Sequence, residues 1–482
     1  MRWSFILQVA GLIILFVGLT MLVPLGFSLA AKDGTAVSFI QAILLSITVG
    51  GGLFLVFRTG KGHTITHREG MCIVTLGWIG AGLFGALPFY LSGSIPDFTD
   101  CVFETFSGFT TTGSTILGDI ESLPSSILMW RSQTQWLGGM GIVLLSLAIL
   151  PFLGVGGMQL YKAEVPGPTP DKLRPRIRDT ARLLWQVYLL LSALEFFFLL
   201  AGGMSFFDSL SHTFTTMPTG GFSPKSASIG HYDSVYFDLV ITFFMFMAGV
   251  NFVLHFQLLR RNPSAWWRSP EFRFYLLVTL GVTLIVTWCI YGSVYSSLGQ
   301  ALRYSLFQVV SIFTTTGYGT ADYELWGPLA QFLLLLCMII GGSAGSTAGG
   351  VKCMRLIILV KQAQRELMRL VHPRAVVPVK LGGTVVSNEI LSGVVGFFLL
   401  YLALAALAMG ILAALGVDLL TTIGAVIACI SNIGPGLGQV GPIDNFGHLP
   451  ALGKWVLTFC MLLGRLEIYT VIVLFSSEFW KS

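Results

Sequence analysis

Ten apolar runs, at residues 4–30, 37–57, 71–92, 127–153, 181–203, 235–259, 272–294, 328–360, 389–415 and 451–477, decide what this chain can fold into. A helix needs roughly 20 mainly apolar residues to cross about 30 Å of hydrocarbon. Backbone polar groups in lipid must bond within their own segment, so the runs are read as spanning helices. Composition agrees: 54% of residues are hydrophobic and 11% charged, whereas about a quarter of a soluble domain is charged. The first run, with Arg2 ahead of it and Ser-Leu-Ala-Ala-Lys at its end, has the outline of a signal peptide, but its apolar part is too long and it reads as an anchored helix. Seven cysteines, odd in number and mostly inside apolar runs, form neither a disulfide framework nor a metal spacing.

Lys and Arg mark cytoplasmic loops. They crowd every second connection (Arg58 to Arg68, Lys162 to Arg182, Arg260 to Arg273, Lys361 to Lys380), while the other connections are acidic, with Asp97, Asp100, Glu104, Asp119, Glu121, Asp208, Asp233, Asp322, Glu324 and Asp444. Both termini are therefore predicted to be cytoplasmic. The net charge of +5 reflects this asymmetry and asks for no nucleic-acid partner.

Between an outward-going run and the next inward-going one, one pattern recurs: FTTTGST (Phe109 to Thr115), MPTGGFS (Met217 to Ser223), FTTTGYG (Phe313 to Gly319) and ISNIGPG (Ile430 to Gly436). Aligned without gaps, the four put Gly113, Gly221, Gly317 and Gly434 in register, at intervals of 108, 96 and 117 residues. Ahead of each glycine is an apolar-aromatic segment too short to span the bilayer and too apolar for a wet loop, the mark of a re-entrant half-helix. The inward helices then carry glycine in LGGMG, MAGVN, IGGSAG and LLGRLE. The predicted fold is an all-α membrane protein: four units of helix, re-entrant half-helix, filter loop and helix around a central pore, preceded by a two-helix hairpin. The corresponding domains are 1–65 for the hairpin and 66–165, 166–262, 263–380 and 381–482 for the units.

Such loops suit a cation. Rings of backbone carbonyls replace an ion's hydration shell, glycine permits the dihedrals and close approach this needs, and the half-helices' carbonyl ends, each about half a negative charge unscreened, face the cavity below. Over essentially its whole length the chain resembles the Trk/Ktr/HKT superfamily of potassium transporters, most closely its TrkH-type branch. The resemblance implies that Thr111, Thr112, Gly113, Thr219, Gly220, Gly221, Thr315, Thr316, Gly317, Asn432, Ile433 and Gly434 line the path of a potassium ion. In plant-type members a serine at the first filter glycine goes with sodium preference; Gly113 stands there in this chain. A potassium channel presents Thr-Val-Gly-Tyr-Gly four times, but only one loop here has Gly-Tyr-Gly, and Pro218 and Pro435 stand in others. Potassium and rubidium are expected to pass better than sodium, without absolute exclusion.

The eighth run breaks at GGSAGSTAGG, Gly341 to Gly350, because each glycine costs a helix roughly 1 kcal/mol against alanine; the alternative is a small-residue helix packed tightly on its neighbours. The resemblance implies an intramembrane gate there, with Gly345, Ser346, Thr347, Gly349 and Gly350 in the loop and Arg465 in the pore. Arg465 sits in an apolar run, where a charge faces the bundle interior or water. Loop carbonyls are better partners for it than Glu467, which is two residues away on another side of the helix. Glu195, Asn251 and His255 are intramembrane polar groups read as packing or hydrogen-bonding residues.

Enzyme motifs fail on inspection. GSTAGGVK lacks the Walker lysine position, GPGLGQVG contains Pro435, and neither follows a strand. An alternating-access, cation-coupled carrier is the serious rival, though units of two spans share one orientation, which favours a pore; a sodium-permeable relative is the other alternative. The sequence implies no bound cofactor. The resemblance implies a bacterial inner-membrane homodimer that meets nucleotide only through a TrkA-like cytosolic regulatory subunit.

Overall fold

The computed structural model describes residues 1–58, 66–148 and 177–481. Lys61, the basic stretch from Lys162 to Arg176, the end of the 127–153 run and the boundaries expected at 65 and 165 lie outside the described residues.

The hairpin consists of Trp3–Thr20 with Leu22–Ala31, then Ala36–Val56. Small residues let the two backbones meet: a Cβ on Gly11 would lie 2.7 Å from Gly50 O, and one on Gly50 as close to Gly11 O. At the turn Asp33 Oδ1 accepts from Ser28 Oγ (2.6 Å) and Thr35 Oγ1 (2.8 Å), while Oδ2 accepts from the backbone of Ser126 (3.1 Å), which ties the hairpin to the next unit.

Four times thereafter a long helix is followed by a short buried one, a glycine loop and a returning helix. The short helices are Phe98–Phe109, Phe206–Thr216, Leu298–Phe313 and Leu419–Ile430. At 1.5 Å per residue the first is about 18 Å long, too short to cross a bilayer. Asp97, Ser205 and Asp418 cap their helices by accepting from the backbone of Asp100, Asp208 and Thr421. Their far ends seat against glycines of the returning helices, where a Cβ on Gly138 or Gly464 would overlap the carbonyl of Phe109 or Ile430.

Among the described residues six helices are long and apolar enough to cross a membrane, or eight if each of two sharply bent pairs counts as one. Those bends correct the sequence reading, which took 235–259 and 451–477 as unbroken. Val235–Ala248 meets Phe252–Leu259 at 100°, and Ala451–Arg465 meets the helix from Tyr469 at 111°. In 328–360 the expected break is present, with Pro328–Ile340 stopping and helix resuming at Cys353, but the second helix runs on to Val371, past the expected end of the run. The fold is not purely helical either, since Lys380–Leu381 pairs antiparallel with Thr384–Val385. Gly382 and Gly383 form that turn with φ of 53° and 93°, the left-handed pair a two-residue hairpin needs. Finally, Glu104 is no outer-loop charge: it is 1% exposed, within the first short helix.

Candidate ion pathway

Each glycine loop is tied to its own short helix by the same two backbone bonds. The amides of Thr111, Thr219, Thr315 and Asn432 donate to Gly108, Thr216, Ile312 and Cys429 (2.8–3.3 Å); those of Thr112, Gly220, Thr316 and Ile433 donate to Ser107, Thr215, Ser311 and Ala428 (2.8–2.9 Å). The dihedrals repeat as well. Thr111, Thr219, Thr315 and Asn432 have φ of 52°, 57°, 59° and 55°, and Gly113, Gly221, Gly317 and Gly434 have 85°, 79°, 85° and 104°. A left-handed residue alternating with an ordinary one turns successive carbonyls towards the same side, where a plain strand would alternate them. Three threonines and an asparagine accept this conformation, uncommon for a β-branched residue.

The loops close a ring. A Cβ on Gly113 would overlap Gly220 O, one on Gly221 would overlap Thr316 O, and one on Gly317 would overlap Ile433 O; on Gly434 it would lie 3.0 Å from Thr112 O. Each key glycine therefore abuts the carbonyl just before the key glycine of the next loop, and the fourth returns to the first. Neighbours are also bonded: Asn432 Nδ2 donates to Thr112 Oγ1 (2.9 Å), Ser114 Oγ to Gly434 O (3.0 Å), Gln135 Nε2 to Gly220 O (2.7 Å), and Tyr323 Oη to Gly436 O (2.7 Å). Tyr318, the tyrosine of the Gly-Tyr-Gly loop, places its hydroxyl 2.5 Å from Thr215 Oγ1 behind the second loop.

The chemistry of the ring is oxygen without charge. Its twelve residues contain no carboxylate, and no cluster of three or more His, Cys, Asp or Glu suited to a metal occurs among the described residues. Thr111 Oγ1 and Asn432 Oδ1 are buried without a hydrogen-bond partner. Buried oxygens left over in this way, beside converging carbonyls, fit a dehydrated monovalent cation as transported substrate.

The 341–352 segment joins Ile340 to Cys353 across one side of the ring. Gly349 N donates to Thr315 Oγ1 (2.7 Å), Gly350 N to Ser431 O (3.0 Å), and Thr347 Oγ1 to Met217 O (3.0 Å). The segment is knitted to the break in the second returning helix, since Ser343 N donates to Gly249 O (2.9 Å) and Phe252 N to Gly345 O (3.0 Å). Ser346 Oγ bonds back to Ser343 O (2.6 Å). Arg465, 3% exposed, donates through Nη1 to Thr347 O at 2.8 Å and has Nη2 3.5 Å from Gly138 O. The 341–352 segment and Arg465 thus lie in hydrogen-bond contact with one another, and the segment with the second, third and fourth glycine loops.

Sequence reasoning missed several residues here. Glu271 Oε1 accepts from the backbone of Ala344 (2.7 Å) and Met354 (3.1 Å), holding both shoulders of the segment. Glu467 pairs with Lys352 (3.4 Å) and Arg355 (2.5 Å), linking the end of the segment to the break after Arg465. Asn251 and His255, by contrast, are the hydrogen-bonding residues expected from sequence: Asn251 caps the helix after its break by accepting from Val253 N (2.8 Å), and His255 Nε2 lies 2.9 Å from Met247 O. A polar residue inside an apolar run was the available signal for the breaks. Glu195 is fully buried, as its neighbours predict.

A polytopic helical membrane protein whose four pseudo-equivalent glycine loops close an uncharged oxygen ring fits the class of cation transport proteins. The family described as "TrkH: Cation transport protein" matches residues 36–482. The chain is 44% identical to the Trk system potassium uptake protein TrkH of Halomonas elongata and 43% identical to that of Escherichia coli, with all of each chain covered. The crystal structure of the potassium transporter TrkH from Vibrio parahaemolyticus superposes with a TM-score of 0.92 at 38% identity, again over the whole of both chains. This chain belongs to the TrkH family of cation transport proteins and is not an enzyme.

Proposed function

We propose that the chain takes up potassium, and rubidium in its place, through the glycine-loop ring acting as a carbonyl selectivity filter in a channel-like pore. The observation that carries this reading is the closed ring itself: paired left-handed residues in all four loops, with every key glycine against its neighbour's carbonyl. The ten runs form ten spans, in the domains given above, in a bacterial inner membrane with both termini cytoplasmic. The four short helices end at the ring, so their carbonyl ends add negative potential where the ion waits.

The 341–350 loop is the gate. Bonded to Met217, Thr315 and Ser431, it occupies the space an ion leaving the ring must cross, and Arg465, bonded to Thr347 O, adds a positive charge that opposes cations. With no nucleotide site in the chain's own motifs, control of the gate falls to a TrkA-like cytosolic nucleotide-binding subunit on a homodimer of this chain.

The test is rubidium uptake into liposomes holding the purified protein, with sodium and lithium as competitors. Gly113→Ser is expected to lose preference for potassium over sodium, and Arg465→Ala to raise flux. Wild-type flux indifferent to the competing cation, and unaltered by either change, sinks the filter and the gate together.

A further inference from the structure

The four loops are unequally braced, and the weakest is held from outside. In loops one and three, hydroxyls of the loop itself bridge: Thr110 Oγ1 to Thr112 Oγ1 and Thr314 Oγ1 to Thr316 Oγ1, both 2.8 Å. In loop four, Ile433 supplies a fully buried side chain at the place before the key glycine, and Asn432 bonds to Thr112 Oγ1 and Met461 O (both 2.9 Å). Loop two has Pro218 where the first threonine of that pair stands and Gly220 where the second stands, so it has no hydroxyl bridge and two adjacent glycines. Glycine has the most conformational freedom to lose, which makes this the loop least able to fix its own carbonyls.

The missing side chain is replaced by one from the first unit. Gln135, on the returning helix Ser125–Ala148, is fully buried, and its amide carbon fills the position a Cβ on Gly220 would take. Its two ends grip the loop: Nε2 donates to Gly220 O (2.7 Å) and Oε1 accepts from Phe222 N (3.0 Å). One turn earlier on the same helix face, Arg131, 2% exposed, donates to Ser223 O (2.8 Å) and stacks 3.7 Å from the centre of the Phe222 ring. Arg131 is itself fixed by Glu104 (2.6 Å), whose carboxylate also accepts from Thr115 Oγ1 (2.9 Å) and Ile116 N (3.0 Å) at the exit of loop one. A continuous strut therefore runs from the exit of loop one through Glu104 and Arg131 to loop two, and Gln135 extends it to a ring carbonyl.

We infer that Gln135, supported by the Glu104–Arg131 pair, is a specificity-determining positioning residue: it sets the Gly220 carbonyl and so the preference of the ring for potassium over sodium. The inference rests on the filter reading. A loop free to shrink around a smaller ion favours sodium; one whose carbonyl is held from behind does not. The bracket also explains why loop two tolerates a second glycine, since any side chain at 220 would displace the amide.

The experiment compares Gln135→Met with Gln133→Met in the liposome assay. Gln133 lies on the same helix two residues away and donates to Thr20 O of the hairpin (2.8 Å), away from the ring. Sodium competition against rubidium uptake, melting temperature and gel-filtration profile are measured for both, beside wild type and Gly113→Ser. The expected result is a folded Gln135→Met protein whose rubidium-over-sodium preference falls about fivefold or more, the worth of one lost hydrogen bond, with preference unchanged in Gln133→Met. If Gln135→Met fails to fold, Gln135→Asn, too short to reach both Gly220 and Phe222, is judged by the same ratio. Folded, transporting protein with wild-type preference overturns the inference. When Gly113→Ser shifts preference and the Gln135 variant does not, only the strut falls; when Gly113→Ser has no effect either, the filter reading has failed.

Discussion

At the scale of single residues, the ring depends on atoms that are absent. Gly317 has φ of 85° and no room for a Cβ beside Ile433 O, whereas at Gly434, φ 104°, the nearest neighbouring carbonyl is 3.0 Å away. An alanine at either position pays the left-handed penalty of about 1–2 kcal/mol, but only Gly317→Ala must also push a neighbouring loop aside. Gly317→Ala is therefore expected to lose more of its selectivity and rubidium uptake than Gly434→Ala; equal loss in the two would show that dihedral strain alone is at work. The glycines were legible from sequence because their spacing repeats. The left-handed Thr111, Thr219, Thr315 and Asn432 were not, because nothing in threonine announces that conformation; the surrounding bonds to the short helices impose it. Gln135 and Arg131 were equally silent: nothing in the sequence assigned either a role, and only the ring shows what they hold.

At the scale of elements, the break at 341–350 was visible as a run of small residues, but those at Gly249–Asn251 and Leu466–Ile468 were not. Lone glycines in apolar runs usually mark packing. What makes these two break is tertiary: freed backbone groups at Gly249 and Phe252 find partners in the 341–352 segment, and Glu467, with φ of 60° beside Ile468 at 48°, is held by ion pairs to Lys352 and Arg355. The two breaks and the 341–352 segment, the proposed gate, thus form one connected piece. Removing one partner of a buried ion pair leaves the other charges uncompensated, at roughly 3–5 kcal/mol. Glu467→Gln is accordingly expected to lower the melting temperature and, by loosening the end of the gate, to raise rubidium flux with selectivity intact. A lowered melting temperature with unchanged flux would separate the triad from gating.

At the scale of the whole molecule, the hairpin and the ring are held by different chemistry. Hairpin attachment runs through Asp33 at the turn between its helices, Gln133 to Thr20 O and the Arg2–Glu69 pair, and none of these touches a glycine loop. Burial alone raises the Asp33 pKa, but bonds from Ser126, Ser28 and Thr35 outweigh it and hold the carboxyl well below its ordinary 3.8. A depressed carboxyl stabilises the fold fully above its ordinary value, and that stabilisation fades as pH falls below 3.8 towards the folded-state value. Asp33→Asn removes the charge that orders these donors, worth about 2 kcal/mol for hydrogen bonds to a charged group. The expected outcome is a lower melting temperature at pH 7, a shallower loss on acidification below pH 4 than wild type shows, and an unaltered ratio of rubidium to sodium uptake. A change in that ratio would mean that the hairpin bears on the ring after all, through the helix that carries both Gln133 and Gln135. That helix binds hairpin, first unit and second loop together, so stability and selectivity in this fold meet on two of its faces.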